Sequence, residues 1–112
     1  MFKLDTTGAE TVLYGFTGGA DGAYPVAGLL RDSAGNLYGT ASGGGASGQG
    51  VVFQVDTTGT ETVLYNFTGG TDGGDPQAGL SQDSAGNLCG TTYYGGSRRT
   101  SLGDGVVFML KP

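Results

Sequence analysis

The chain has 112 residues, of which 25 are glycine, and it carries ten acidic residues, five basic residues and no histidine. Glycine at this level without a three-residue period excludes collagen, and the spaced clusters of Val, Leu, Tyr and Phe argue against plain disorder. The formal charge of −5 disfavours nonspecific binding to nucleic acid or to anionic membranes. No apolar run approaches the roughly 20 residues of a membrane span, and no charged and then apolar segment opens the chain. We therefore expect no nucleic acid partner and no membrane insertion.

The first predicted elements are two strands joined by a tight turn. Residues 1–5 alternate apolar and polar side chains, as a strand does. Residues 5–8 (Asp-Thr-Thr-Gly) place Asp and Gly at the two ends expected of a type I turn. Residues 10–16 then form the return strand, which completes a hairpin.

Breaker-rich and apolar segments alternate in the next part of the chain. Residues 17–25 contain three glycines and end in proline, which predicts a loop. Residues 32–36 (Asp-Ser-Ala-Gly-Asn) are typical of a tight turn, in which Asp accepts from backbone amides and Gly takes the left-handed conformation. The other elements predicted here are strands at residues 27–31, 37–42 and 51–56 and a second glycine-rich loop at residues 43–50.

These elements recur as an internal repeat. Residues 5–40 and 56–91 align without a gap at a spacing of 51 residues, and 27 of the 36 positions are identical. A longer and different loop follows at residues 93–105, and a further copy of the Val-Val-Phe strand ends the repeat region. The predicted organisation is one repeat region, with repeat 1 at about 1–51, repeat 2 at about 52–106 and an extra strand at 106–110.

Each repeat holds four short strands joined by two tight turns and two long loops. Four-stranded units at a period of about 50 residues are typical of propeller blades, so we expect an all-β fold of β-propeller blades. Neither a helical period nor helix-favouring composition is present. The competing architectures are a β-solenoid, which prefers shorter periods, and an antiparallel sandwich, which needs no repeats.

The repeated pattern resembles a known family. Its parts are Gly-Val-Val-Phe-x-Val-Asp-x-x-Gly, Glu-Thr-Val-Leu-Tyr-x-Phe-Thr-Gly-Gly-x-Asp-Gly, Pro-x-Ala-Gly-Leu and Asp-Ser-Ala-Gly-Asn-Leu-Tyr-Gly-Thr. It resembles the GloVer tandem repeat, found in large secreted bacterial proteins with varied surface anchors. The resemblance implies an extracellular or surface-attached bacterial repeat protein with a propeller fold and no catalytic residues.

The Asp-Ser-Ala-Gly-Asn-Leu turn is also similar to the blades of NHL and gluconolactonase-type propellers, where it joins the innermost strand to the second. This likeness implies a blade that runs from the axis outwards. Its strands are residues 27–32 (innermost), 37–42, 51–56 and 61–67 (outermost).

Antiparallel order places all tight turns on one rim and all long loops on the other. Binding usually resides in loops that a rigid scaffold displays. The loops at residues 17–25, 43–50, 68–76 and 93–105 therefore give the candidate ligand-binding surface. The candidate residues on it are Asp21, Tyr24, Asp72, Asp75, Tyr93, Tyr94, Arg98, Arg99 and Asp104.

Two interpretations compete for the acidic loop residues. Asp21 and Asp72 each precede a glycine, which is typical of a turn former. Their alternative role is calcium binding, because carboxylate and carbonyl oxygens suit that cation. No EF-hand spacing accompanies them, which leaves the calcium site without a supporting motif. Calcium therefore stays an open alternative, and we expect no other cofactor. The tight-turn residues Asp32, Asn36, Asp83 and Asn87 are predicted to be structural.

The absence of histidine excludes Ser-His-Asp, Cys-His and zinc-histidine chemistry. The single cysteine, Cys89, replaces Tyr38 of the first repeat, and we expect it to be a small buried hydrophobic residue. Paired carboxylates remain as a catalytic option, but no motif locates them.

The leading functional hypothesis is a noncatalytic propeller module of a bacterial surface or secreted protein, with a glycan or protein bound on the long-loop rim. The interpretation leans away from an enzyme. The alternative is a calcium-dependent, lactonase-like hydrolase on an oligomeric propeller.

Two repeats cannot close a propeller of about four to eight blades. We therefore expect a head-to-tail ring of three or four copies, in which the end of one chain completes a blade with the start of the next. Residues 1–4 and 106–110 are copies of the same strand and compete for one place. The C-terminal copy is expected to take it, while residues 10–16 supply the outer strand.

Overall fold

The computed structural model describes residues 2–4, 8, 10–12, 14–25, 27–95 and 105–111. Every regular element in this part of the chain is a β-strand, which confirms the all-β prediction. The described residues contain no helix able to cross a membrane. The strands are β1 (Phe2–Leu4), β2 (Glu10–Val12), β3 (Leu30–Arg31), β4 (Leu37–Ala41), β5 (Val51–Val55), β6 (Glu61–Asn66), β7 (Ser81–Gln82), β8 (Leu88–Thr91) and β9 (Val107–Leu110).

The strands form three antiparallel sheets, each a simple meander. One sheet has the order β3-β4-β5-β6, the second has β7-β8-β9, and β1 and β2 form a two-stranded ribbon. The four-stranded sheet, here called unit 1, has the strand order predicted for one blade. The three-stranded sheet, unit 2, repeats its first three strands.

Two strands are shorter than the sequence predicts. The innermost strand, expected at 27–31, begins only at Leu30, because Gly28 lies just before it and glycine weakens a strand. Of the return strand expected at 10–16, Glu10–Val12 pairs with β1, and the described residues 14–16 lie outside a strand.

The outer strand of unit 1 contains a β-bulge. Val52 pairs with Tyr65 and Phe53 pairs with Val63, so Leu64 is an extra residue on β6. Val63 packs on one side of the sheet and Leu64 on the other. β6 thus contributes side chains to both apolar layers.

Two apolar clusters cover the two faces of unit 1. Alternation along β5 directs Val51, Phe53 and Val55 to one face and Val52 to the other. The outer cluster consists of Ala41, Val51, Phe53 and Val55, with Tyr14, Phe16 and Val63 packed against it. The inter-unit cluster consists of Tyr38, Val52, Phe67 and Leu88, with Leu30, Leu64, Leu80, Phe108 and Leu110 packed against it.

The inter-unit cluster holds the sheets of units 1 and 2 together. Equivalent pairs of aromatic rings lie on the two sides of unit 1. Phe16 meets Phe53 edge to face at 4.9 Å between ring centroids, and Phe67 meets Phe108 in the same way at 5.2 Å. A polar contact also crosses the interface, where Thr40 Oγ1 donates to the carbonyl oxygen of Ala78 at 3.1 Å. The segment after β2 thus packs on unit 1 through the same kind of aromatic contact that unit 1 makes with unit 2.

Unit 1 buries one face of its sheet against unit 2. The equivalent face of unit 2 is not covered by any described element. Thr40 is buried at this interface, whereas its counterpart Thr91 is exposed. Cys89, at the position of Tyr38, is only partly buried, so the prediction of a buried cysteine is wrong. The reason is that no described element lies against this face of unit 2.

The register of the second and third strands is the same in both units. Gly39 pairs with Phe53 and Gly90 pairs with Phe108. A Cβ atom on either glycine would lie within 2.8 Å of the paired phenylalanine ring, so only glycine fits there. Gly90 follows Gly39 by 51 residues and Phe108 follows Phe53 by 55, so the intervening loop contains the four additional residues.

Candidate functional site

The tight turns have the structural role that the sequence predicts. Asp32 Oδ1 accepts from the backbone amides of Ala34 and Asn36 at 2.9 Å, and Gly35 has a φ of 92°. Asp83 makes the same contacts with Ala85 and Asn87. These carboxylates close hairpins at the rim opposite the long loops.

The long loops are joined to one another by backbone hydrogen bonds. Within unit 1, Ala23 and Gly43 exchange two bonds of 2.9 Å. Within unit 2, Gly74 pairs with Tyr94 in the equivalent way, and between the units the amide of Asp75 donates to the carbonyl of Gln49 at 2.7 Å. The loop rim, defined as residues 17–25, 43–50, 68–76 and 93–95, is therefore one connected surface, as the antiparallel order predicts.

Asp21 and Asp72 organise their own loops. Asp21 accepts from Tyr14 Oη at 2.7 Å, from the Thr17 amide at 3.0 Å and from Thr17 Oγ1 at 2.6 Å. The bonds from Thr17 lower the pKa of Asp21 to about 2, and the bond to Asp21 raises the pKa of Tyr14 to about 12. Asp72 makes equivalent bonds with Tyr65 and Thr68.

Tyr24 and Asp75 share an unusual backbone conformation. They occupy equivalent positions, each before a proline, with φ values of 57° and 54°. Non-glycine residues rarely adopt this left-handed region, and bulky ones do so at a cost. Their carbonyls accept from Ser42 and Tyr93 at 3.1 Å, which fixes the conformation from the neighbouring loop.

The candidate aromatic residues are on the rim, where Tyr24 and Tyr93 are open to solvent and Tyr94 is half-buried. Tyr24 is 73% exposed and Tyr93 is 62% exposed. Tyr93 and Tyr94 contact each other edge to face at 5.0 Å between ring centroids. The remaining candidates Arg98, Arg99 and Asp104 lie outside the described residues.

Glu61 is a feature that sequence reasoning missed. Its Oε2 atom is buried, and the described residues offer it no hydrogen-bond partner. Burial, with a smaller contribution from the charge of Asp21, raises its pKa to about 7. The described residues contain no group of three or more Cys, Asp or Glu side chains that could hold a metal ion. The arrangement thus displays aromatic rings and does not concentrate carboxylates.

A cleft of about 300 Å³ lies where unit 1 meets the edge of unit 2. Its walls come from the outer part of unit 1 and from the last strand of unit 2. The lining residues are Val52, Tyr65, Phe67, Thr71, Asp72, Val106, Val107, Phe108, Met109 and Leu110.

Comparison with known proteins assigns the chain to a family. A search of curated proteins finds no match to the chain. The model of a family described as Gloeobacter/Verrucomicrobia repeat matches residues 1–112, which include both units and the N-terminal ribbon. The chain therefore belongs to the Gloeobacter/Verrucomicrobia repeat family.

Proposed function

We propose that the protein is a noncatalytic repeat module of a bacterial surface or secreted protein, built as propeller blades and binding a glycan on its loop rim. A protein surface is the second ligand class for the same rim. The observation that carries the proposal is the connected rim, on which Tyr24 and Tyr93 expose most of their side chains. Rigid display of exposed aromatic rings is how many scaffolds bind ligands.

The chemistry of the rim favours binding over catalysis. Asp21 and Asp72 already accept three hydrogen bonds each from their own loops, so they support the rim's shape. The tyrosine rings offer flat apolar faces and hydroxyl groups, which suit the apolar faces and hydroxyls of sugars. Tyr93 and Tyr94 therefore form the centre of the proposed site.

The propeller arrangement rests on the stacking of the two units. Unit 2 presents Val107 and Met109 to solvent on the face that unit 1 buries, and unit 1 leaves Leu29 43% exposed on the opposite side. Further copies of the repeat would cover both surfaces. A head-to-tail ring of three or four chains, with six or eight blades, closes the stack without open faces.

A glycan array with purified protein tests the ligand proposal. We expect the unmodified protein to bind certain glycans on the array and the Tyr93→Ala, Tyr94→Ala double variant to lose this binding. The matched control is the Thr57→Ala, Ser84→Ala variant, which alters exposed residues of the tight-turn rim and should bind normally. Unchanged binding by the tyrosine variant would remove these residues from the site.

A further inference from the structure

The cleft between the units corresponds to a position beside Tyr14 and Phe16 that β6 of unit 1 occupies. Tyr65, Phe67 and Asp72 on its wall are equivalent to Tyr14, Phe16 and Asp21. Tyr14 and Phe16 pack beside the outer cluster of unit 1, and Val63 of β6 packs there with them. The charge of Asp21 also acts on Glu61, the first residue of β6.

The other wall of the cleft matches as well. Phe108 and Leu110 of β9 correspond to Phe53 and Val55 of β5. In unit 1 these β5 residues pair with β6, with Phe53 opposite Val63 and Val55 opposite Glu61. Within the described residues, no strand pairs with the equivalent edge of β9. The cleft thus lies at the position that a fourth strand of unit 2 would occupy.

The chain carries a second copy of the segment that fills this place in unit 1. Residues 10–14 and 61–65 have the same sequence, Glu-Thr-Val-Leu-Tyr. The first copy pairs with β1 as Phe2↔Val12, Lys3↔Thr11 and Leu4↔Glu10, the register that β5 uses with β6. Glu10–Val12 therefore already has the backbone conformation that the edge of β9 requires.

We propose that β2 (Glu10–Val12) of a second copy of this chain enters the cleft and pairs with β9 as the fourth strand of unit 2. The pairs are Phe108 with Val12, Met109 with Thr11 and Leu110 with Glu10 of the second copy. Strand addition of this kind supplies backbone hydrogen bonds and covers an open sheet edge. The second copy's β2 exchanges β1 for β9, and the inference rests on the blade stacking proposed above.

The packing of this chain identifies the occupant as a second copy. Tyr14 and Phe16, which directly follow β2, pack on the outer cluster of unit 1. The cleft adjoins the opposite face, where Val52 and Phe67 belong to the inter-unit cluster. The sheet of unit 1 therefore separates a chain's own β2 from its own cleft. The cleft is also continuous with the Phe67 and Phe108 contact, so the added strand would extend an interface that the molecule already contains.

Paired cysteine substitutions test the proposed register. In a Cys89→Ser background, Thr11→Cys and Met109→Cys place thiols on residues that face each other only between copies. A short bifunctional maleimide should convert this variant into a ladder of two, three and more linked chains. The matched control is Gln54→Cys with Thr62→Cys, which are paired within one chain and should give linked monomers only. Each single-cysteine variant should give no species beyond a dimer.

Competition with a synthetic peptide of residues 10–16 provides the second measurement. Excess peptide should abolish the ladder, whereas the same peptide with proline at the Val12 position should leave it intact, since proline lacks the N–H and fits poorly in a ladder. Monomers only from the Thr11→Cys, Met109→Cys variant, or a ladder that the peptide does not affect, would overturn the proposal. Glycan binding measured on the same variant separates this result from failure of the rim proposal, because the rim residues are unchanged.

Discussion

Val52 and Val107 occupy equivalent positions in the third strands of the two units, yet Val52 is fully buried and Val107 is 83% exposed. The difference arises because unit 2 lies against Val52, while nothing described lies against Val107. A valine or methionine that passes from exposed to buried stabilises an interface by about 2 kcal/mol. Val107 and Met109 together are therefore a strong drive for association.

We expect the unmodified protein to be an oligomer in multi-angle light scattering and the Val107→Lys, Met109→Lys variant to have a lower mass. The lysines keep unit 2 soluble but cannot be buried against another copy. Thr57→Lys, Thr62→Lys, at exposed positions of unit 1, is the control and should keep the oligomer mass. A monodisperse monomer of the unmodified protein with a cooperative melt would contradict this account of the exposed face.

The Cys89→Tyr substitution should stabilise the protein. In unit 1, Tyr38 Oη donates to Asp32 Oδ2 at 2.9 Å, and Cys89 cannot make the corresponding bond to Asp83. Restoring a hydrogen bond to this carboxylate should raise the free energy of unfolding, measured in urea. Tyr38→Phe is the reciprocal control and should lose a similar amount. Equal stability of Cys89→Tyr and the unmodified protein would show that unit 2 cannot accept the unit 1 contact.

Stability should fall as pH rises from about 4.5 to about 7. The pKa of Glu61 is raised from its ordinary value of 4.5 to about 7, so the folded state binds its proton more tightly than the unfolded state. The stabilising effect is complete below the unfolded pKa and is lost as pH rises through the folded pKa. With no histidine in the chain, no imidazole titration overlaps this range.

Urea denaturation at pH 5 and at pH 8 measures this dependence. The Glu61→Gln variant should show a smaller difference between the two pH values. Asp83→Asn is the control, because the pKa of Asp83 is lowered by its hydrogen bonds with Asn87 and its titration lies below this range. A Glu61→Gln variant that keeps the full pH dependence would assign the effect to another group.

Tyr24→Gly should raise the melting temperature. Tyr24 has a left-handed φ of 57° and is mostly exposed, so glycine relieves backbone strain with little loss of packing. The expected gain is about 1 kcal/mol. Asp75→Gly should gain less, because aspartate tolerates this conformation better. Gly22→Ala is the control with the opposite expected result, a lower melting temperature. The φ of Gly22 is 109°, and a Cβ atom there would lie 2.9 Å from the side chain of Val51. A larger gain for Asp75→Gly than for Tyr24→Gly would contradict the strain argument.

A chelator should leave the melting temperature unchanged, and elemental analysis should find no bound calcium. The reason is that Asp21 and Asp72 accept hydrogen bonds from their own loops. A melting temperature that falls with chelator and recovers with calcium would instead favour the calcium-dependent hydrolase.

The strand order and the two rims follow from residues that act locally. Asp32 and Gly35 specify a turn through their own backbone contacts, so sequence reasoning located both copies of it. The bulge at Leu64 and the buried carboxyl of Glu61 depend on packing between segments far apart in sequence. The partial exposure of Cys89 depends on what covers unit 2, which no local pattern contains. Ligand binding at Tyr93 and Tyr94 stays a prediction.

The shared register of Gly39 with Phe53 and of Gly90 with Phe108 separates loop length from sheet geometry. The loop between the second and third strands of unit 2 is four residues longer than that of unit 1, yet the ladder beside it is the same. Length can therefore vary at this position while every strand keeps its partners. A repeat of this kind is suited to loop grafting, since foreign recognition sequences inserted here would meet a scaffold that already tolerates insertion.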